Sequence, residues 1–240
     1  MSYMFDSCSN LLALDLSHFN TANVTDMRNM FGYCYKLADL DISNFDTGNV
    51  TYMSYMFGSC NILTSLDLSH FNTEKVTSMS NMFNWCGKIQ SINISSFNTQ
   101  NVTDMDRMFN GCNELTELIL PEIWHTENLQ DTNLMFASCK LLPSINLNNF
   151  NTSKVRNMSN MFAYITVSTL DVSNFDTTNV VNFNGMFLDC ANLTSLDLAH
   201  FDVSKATDLG SMFSGCKNLT SLNIPNWDAR KATSLTRMFY

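Results

Sequence analysis

Proline and glycine are scarce in this 240-residue chain, at three and eight residues. With so few breakers, no stretch reads as a flexible linker, and a set of loosely tethered domains is excluded. Basic residues are few as well: 13 Lys and Arg stand against 22 Asp and Glu, for a formal charge of −9. An acidic body with scattered cations is a poor partner for nucleic acid or an anionic lipid surface. No apolar run approaches the ~20 residues that cross a bilayer as a helix, so direct membrane insertion of this segment is not expected. Histidine is limited to four residues. The sequence holds no His/Glu metal set, no Gly-rich phosphate loop and no nucleophile beside a base. Catalysis needs unique groups that converge, whereas here the same groups recur at intervals, so neither an enzyme nor a cofactor is expected.

What the chain has is a period. Met-Phe pairs begin at Met4, Met30, Met56, Met82, Met108, Met135, Met161, Met186, Met212 and Met238, in steps of 26 residues with one 27 and one 25. All 18 Phe, and every Met except Met1, fall into four repeat columns, which marks a repeat protein. One unit, Leu63 to Cys86, shows the physics. Leu66 and Leu68 lie on one side of a short extended segment and Asp67 on the other, which predicts a strand. Asn72 and Thr73 suit a turn and a helix N-cap. Val76, Met79, Met82 and Phe83 then follow at i, i+3, i+6 and i+7, which predicts a short helix. A single unit buries too little apolar surface to offset its ordering, so the units must stack. Stacked at ~4.8 Å, about nine strands would make a parallel sheet roughly 40 Å long.

The units LDLSHFNTANVTDMRNMFGYC (14–34), LDISNFDTGNVTYMSYMFGSC (40–60) and LDLSHFNTEKVTSMSNMFNWC (66–86) resemble the repeat of the BspA-like leucine-rich repeat surface proteins. The resemblance covers essentially the whole chain. It implies an α/β right-handed leucine-rich repeat solenoid with its parallel sheet on the concave face and short helices on the convex face. It also implies a place on a cell surface, or secretion, and adhesion to a protein or another cell-surface macromolecule of a host or a microbe. The uniform period predicts a single solenoid over 1–240. The chain starts and stops in mid-repeat, as a fragment of a longer chain would.

Eight cysteines (Cys8, Cys34, Cys60, Cys86, Cys112, Cys139, Cys190, Cys216) occupy one column, three residues after the Phe, where Ile165 stands in for a ninth. Neighbours in the stack lie within disulfide reach by Cα spacing, but their Cβ vectors run parallel, so buried reduced thiols are expected. The column Phe19, Phe45, Phe71, Phe97, Phe150, Phe175 and Phe201 is expected to stack as an aromatic spine. Asn20, Asp46, Asn72 and their equivalents are expected to form a ladder of Asx turns.

Candidate binding residues come from the outward strand column and from one unit that breaks register. Asp15, Asp41 and Asp67 are successive carboxylates ~5 Å apart; they read either as a cation-recruiting ladder or as a hydrated face that discourages aggregation. The unit 115–136 carries one inserted residue, Ile119 in place of the outward Asp, and Trp124 and His125 in an enlarged turn. Insertions in solenoids map to surface loops, often on a binding face. Glu117, Ile119, Trp124 and His125, with Asp41 and Asp67, are therefore the candidate binding residues, and no metal is assigned. Trp124 also fits the Phe column as a core residue. The function expected is a non-catalytic, adhesin-like binding module. The alternative is a structural stalk presenting another domain, which the uniform Asp, Ser and Asn columns favour outside 117–125.

Overall fold

The computed structural model describes residues 1–225 and 227–240. The chain winds as a solenoid in which each Met-Phe pair lies against its image in the next coil. Its strands are three residues long: β1 (Ser65–Asp67), β2 (Ser91–Asn93), β3 (Glu117–Ile119), β4 (Ser195–Asp197) and β5 (Ser221–Asn223). β1, β2 and β3 form one parallel sheet and β4 and β5 another. The register places Leu66, Ile92 and Leu118 side by side, and Leu196 beside Leu222. Leu66 and Ile92 are buried while their strand neighbours face outward, as the alternation predicts.

The expected strand ladder along the whole solenoid is not present among the described residues. Past β3 it meets Pro121 and Pro143, neither of which can donate a ladder hydrogen bond. The one-residue insertion before Leu129 and the short 25-residue step from Met161 to Met186 also fall between β3 and β4, where no strand forms among the described residues. The equivalent residues 39–43, on the other side of β1, also lie outside the sheet.

The predicted convex helices are replaced by something different. Among the described residues there is no helix, and Val76 to Cys86 is a chain of tight turns. Two coils earlier, the amides of Met27, Asn29, Phe31 and Tyr33 donate to the carbonyls of Tyr52, Ser54, Met56 and Gly58 in the next coil at 2.8–3.0 Å. The amides between them turn back locally: Met30 donates to Met27, Gly32 to Asn29 and Cys34 to Phe31. Every second amide thus bonds forward to the next coil, and the alternate ones close turns. That alternation needs left-handed backbone at two places four residues apart, such as Asn29 and Tyr33 (φ 53° and 58°) or Asn81 and Trp85 (φ 59° and 60°). Beside it, parallel bridges run unbroken through Asp26, Tyr52, Ser78, Asp104, Asp131, Asn157, Asn182, Asp208 and Ser234. The continuous backbone ladder therefore lies on the turn face.

The core between the two faces holds the Leu, Val, Met, Phe and Cys columns. Its aromatic spine is the Phe of the Met-Phe pair: Phe5, Phe31, Phe57, Phe83, Phe109, Phe136, Phe162, Phe187, Phe213 and Phe239 stack with centroids 5.4–6.0 Å apart. The Phe19 column, expected to play that part, packs tilted against it, as Phe162 with Phe175 at 6.3 Å and 30°. Offset ring pairs of this kind add about 0.5–1.5 kcal/mol beyond burial.

Polar columns knit the coils at the turns. Buried Thr73 donates its hydroxyl to Asn98 O (2.9 Å) and accepts from Asn98 N (2.8 Å), a reciprocal pair repeated by Thr21, Thr47, Thr126 and Thr177. The His column is part of the same scheme: an imidazole Nε2 lies 3.1 Å from Ile42 O at His70 and 3.0 Å from Val172 O at His200. The expected Asx turns are present, with Asp46 and Asn72 each accepting from the amide two residues on. The cysteine column does more than fill space. Each thiol from Cys34 to Cys216 donates to the carbonyl of a Phe one coil back, at 3.0–3.3 Å. All eight cysteines are free. Desolvation raises the pKa of the thiols from Cys34 to Cys216, taking Cys86 up to about 12, so these sulfurs stay protonated donors at neutral pH.

Candidate functional site

The strand face carries the candidate residues, and the structure separates them into groups. β3 presents Glu117 and Ile119 outward, with Ile119 41% exposed. The Glu117 carboxylate accepts from the Ser91 hydroxyl of β2 at 2.7 Å. Beyond β3, where the ladder stops, a cleft of about 500 Å³ opens between Leu118–Glu122 and Ser144–Asn146. Its rim continues to Ile123, which is 57% exposed. Apolar side chains on the open side of a strand without a pairing neighbour are what a macromolecular ligand can cover.

Trp124 is not a surface anchor. It is 3% exposed and sits in the Phe column, edge-on to Phe150 at 5.0 Å and to Phe136 at 6.4 Å. The insertion lengthens the turn by just enough for the larger ring to occupy a slot whose neighbours are phenylalanines. Its indole Nε1 is buried without a hydrogen-bond partner, and a cavity of about 30 Å³ lined by Trp124, Glu122, Asn148 and Asn149 lies beside it. Trp227, at the equivalent position, donates its Nε1 to Leu198 O at 3.2 Å. His125 turns away from the cleft: its Nδ1 is 3.3 Å from Glu127 Oε1, and the residue lines neither cavity.

Asp41 and Asp67 line a second depression, about 310 Å³, on the open side of β1, with Asp39, Ser43, Ser65 and His70. Both carboxylates are already engaged. Asp41 accepts from the Ser43 hydroxyl at 2.7 Å and from its amide at 3.0 Å, and Asp67 accepts from the Ser69 amide at 3.0 Å. These bonds hold both groups below the usual carboxylate range. The outward Asp column is thus a second set of Asx turns, and among the described residues no cluster is arranged to hold a metal ion.

The turn face carries groups outside the candidate set, of which the sequence offers Tyr33 and Trp85 as exposed aromatics beside the Cys column. Asp104 and Asp131 stand in the bridge column, where burial raises both carboxyl groups above the usual range. Tyr33, Tyr55 and Trp85 occupy left-handed positions. The signal for those positions was available: Asn, Asp or Gly fills the same columns at Asn29, Asn81, Gly111, Asn160, Gly185, Asp189 and Gly215, the residue types that tolerate positive φ.

Comparison with known proteins gives three results. The family profile described as "Mycoplasma protein of unknown function, DUF285" matches overlapping stretches at 1–92, 64–170 and 142–240. A leucine-rich cell surface protein of Faecalibacterium prausnitzii A2-165, solved as a crystal structure, is 17% identical, with 92% of this chain and 75% of that chain covered and a TM-score of 0.36. No functionally curated protein matches the chain.

Proposed function

The chain belongs to the DUF285 family, with repeats of the BspA-like type, and from that premise we propose that it is a non-catalytic binding module displayed on a cell surface. The solenoid surface engages a protein or another macromolecule, in the manner of an adhesin. One observation carries this reading: the outward strand column is Asp or Asn in every coil except at β3, where Ile119 stands and a cleft of about 500 Å³ opens. A unique apolar edge on a repetitive hydrophilic face is where a specific partner gains most from desolvation. Glu122 in the lining of the cleft favours a partner that brings a cation. The surface location rests on the resemblance of the repeat.

The stalk reading has its own support, because the outward Asp15, Asp41, Asp67, Asn93, Asn146, Asp171 and Asp197 are occupied in Asx turns. Immobilised matrix proteins and host cell lysates, titrated with the soluble 240-residue chain, separate the two. A saturable ligand whose binding is weakened by Ile119→Asp, with the melting temperature unchanged, supports the module. Ligand-free behaviour across the panel supports the stalk.

A further inference from the structure

We propose that the turn face of coils two to four carries a second site, a stacking platform for carbohydrate rings built from Tyr33, Tyr55 and Trp85. It goes beyond the strand-face reading and involves none of its residues.

The first argument is backbone strain. Tyr33, Tyr55 and Trp85 have φ of 58°, 61° and 60°. A bulky side chain in the left-handed region is a true outlier, and glycine serves the same columns elsewhere, at Gly185 (φ 60°) in the Tyr55 column and at Gly111 (φ 76°) and Gly215 (φ 75°) in the column of Tyr33 and Trp85. Folding would favour Gly, Asn or Asp at all three positions. Large rings stand there instead, and Trp85 is 54% exposed.

The second argument is the way the rings are seated. Tyr33 and Tyr55 lie 5.2 Å apart at 27°. The Tyr55 hydroxyl beside Tyr33, with burial, pushes the Tyr33 phenol up to about 12. Gly58 leaves the space the Tyr55 ring fills, since a Cβ there would fall 2.1 Å from a ring carbon. Trp85 lies over Gly111, where a Cβ would be 3.0 Å from the indole. Between the rings runs a chain of buried carboxamides: Asn110 donates to Asn84 Oδ1 at 2.8 Å, and Asn84 donates to the Tyr55 hydroxyl at 3.3 Å. That hydroxyl, already an acceptor inward, keeps its proton for a ligand outside.

The third argument is chemistry. A pyranose ring presents C–H groups on its faces and hydroxyls around its edge. The C–H faces match the negative faces of aromatic rings, and the hydroxyls match phenols and carboxamides. Ser59, Asn61 and Asn81 nearby are uncharged and polar, Tyr35 lies edge-on to Tyr33 at 6.1 Å, and Asp6 is the one carboxylate whose charge reaches Tyr33. The overall charge of −9 disfavours a polyanion such as nucleic acid. A protein hot spot would want a ring sunk in a desolvated pocket, and these rings line none of the cavities described above.

The test is affinity electrophoresis of the 240-residue chain in gels containing hydroxyethyl cellulose, yeast mannan, glycogen or soluble chitosan, followed by titration with hexasaccharides of the retarding polymer. Trp85→Gly is the decisive variant, because the two roles of that residue predict opposite changes. The expected result is retardation by at least one polymer, a loss of affinity of about tenfold or more in Trp85→Gly, and a higher melting temperature for the same variant. Tyr55→Phe, which keeps the ring and removes the hydroxyl, should lose less. No retardation by any polymer overturns the proposal. So does unchanged affinity in Trp85→Gly, or a matrix protein that binds through these rings where no sugar does.

Discussion

The two faces of this solenoid are built from the same repeat and behave differently. On the strand face, backbone pairing reaches five short strands and stops. On the turn face, bridges link every coil from Asp26 to Ser234. The leucine motif, the part of the repeat that most resembles other solenoids, therefore contributes apolar burial more than hydrogen-bonded continuity. Continuity comes from Asx turns, buried threonines and paired left-handed residues. A face that carries the ladder constrains its backbone tightly, yet its outward side chains are free to be aromatic. A face that does without the ladder can open clefts where pairing stops.

The largest expected test of this contrast lies in the core. Phe83→Ala, in the middle of the ring stack, should destabilise by about 3–5 kcal/mol in urea unfolding, more than the ~2–3 kcal/mol expected for Leu66→Ala in β1. Equal losses would mean that the strand side holds as much of the structure as the turn side. Next comes Thr73→Val, which keeps shape and removes both bonds to Asn98; leaving a buried amide and carbonyl unpaired should cost about 1–3 kcal/mol. A value near zero would show that the threonine column only fills space.

Smaller effects concern backbone sign. Gly215→Ala places a Cβ 2.1 Å from the Asp189 carboxylate at φ 75° and should lower stability by about 1–2 kcal/mol. Ser138→Gly, at φ 61°, should raise it by about 0.5 kcal/mol. If both changes move the melting temperature the same way, the left-handed columns are not setting it.

The smallest effect is in pH. Asp41 and Asp67 have folded-state pKa values below their unfolded ones, so their contribution is present above the unfolded range near pH 4 and is lost as pH falls through the lower folded values. Asp104 and Asp131 are raised by burial, so they oppose folding at neutral pH and the penalty disappears as pH falls through the raised values. Asp131→Asn should therefore stabilise slightly at pH 7 and not at pH 3, while Asp67→Asn should flatten the acid limb. Thermal melts from pH 3 to 7 distinguish the two signs.

Much of this was legible in the sequence. The period, the four apolar columns and the Asx role of Asn72 follow from spacing and side-chain chemistry that leave little choice. The turn face did not, because Val76, Met79, Met82 and Phe83 have a spacing that a helix and a run of alternating turns share. The residues between them decide the matter: Thr77, Ser78, Ser80 and Asn81 compete for backbone hydrogen bonds and disfavour helix. Trp124 could be read as anchor or core, and its 3% exposure settles it as core. The open side of β3 was invisible, since it depends on two prolines and an inserted residue acting across neighbouring coils rather than within one.

The forward-pointing amides of the turns have one more consequence. In each coil the alternate amides of the turn segment, such as Met27, Asn29, Phe31 and Tyr33, give toward the following coil and outnumber those that give backward, such as Thr51 to Thr25. Peptide dipoles thus add along that side as a vector. A stack of such coils has polarity: one terminus offers a row of acceptors and the other a row of donors, so growth, docking or capping by another backbone can succeed in only one orientation.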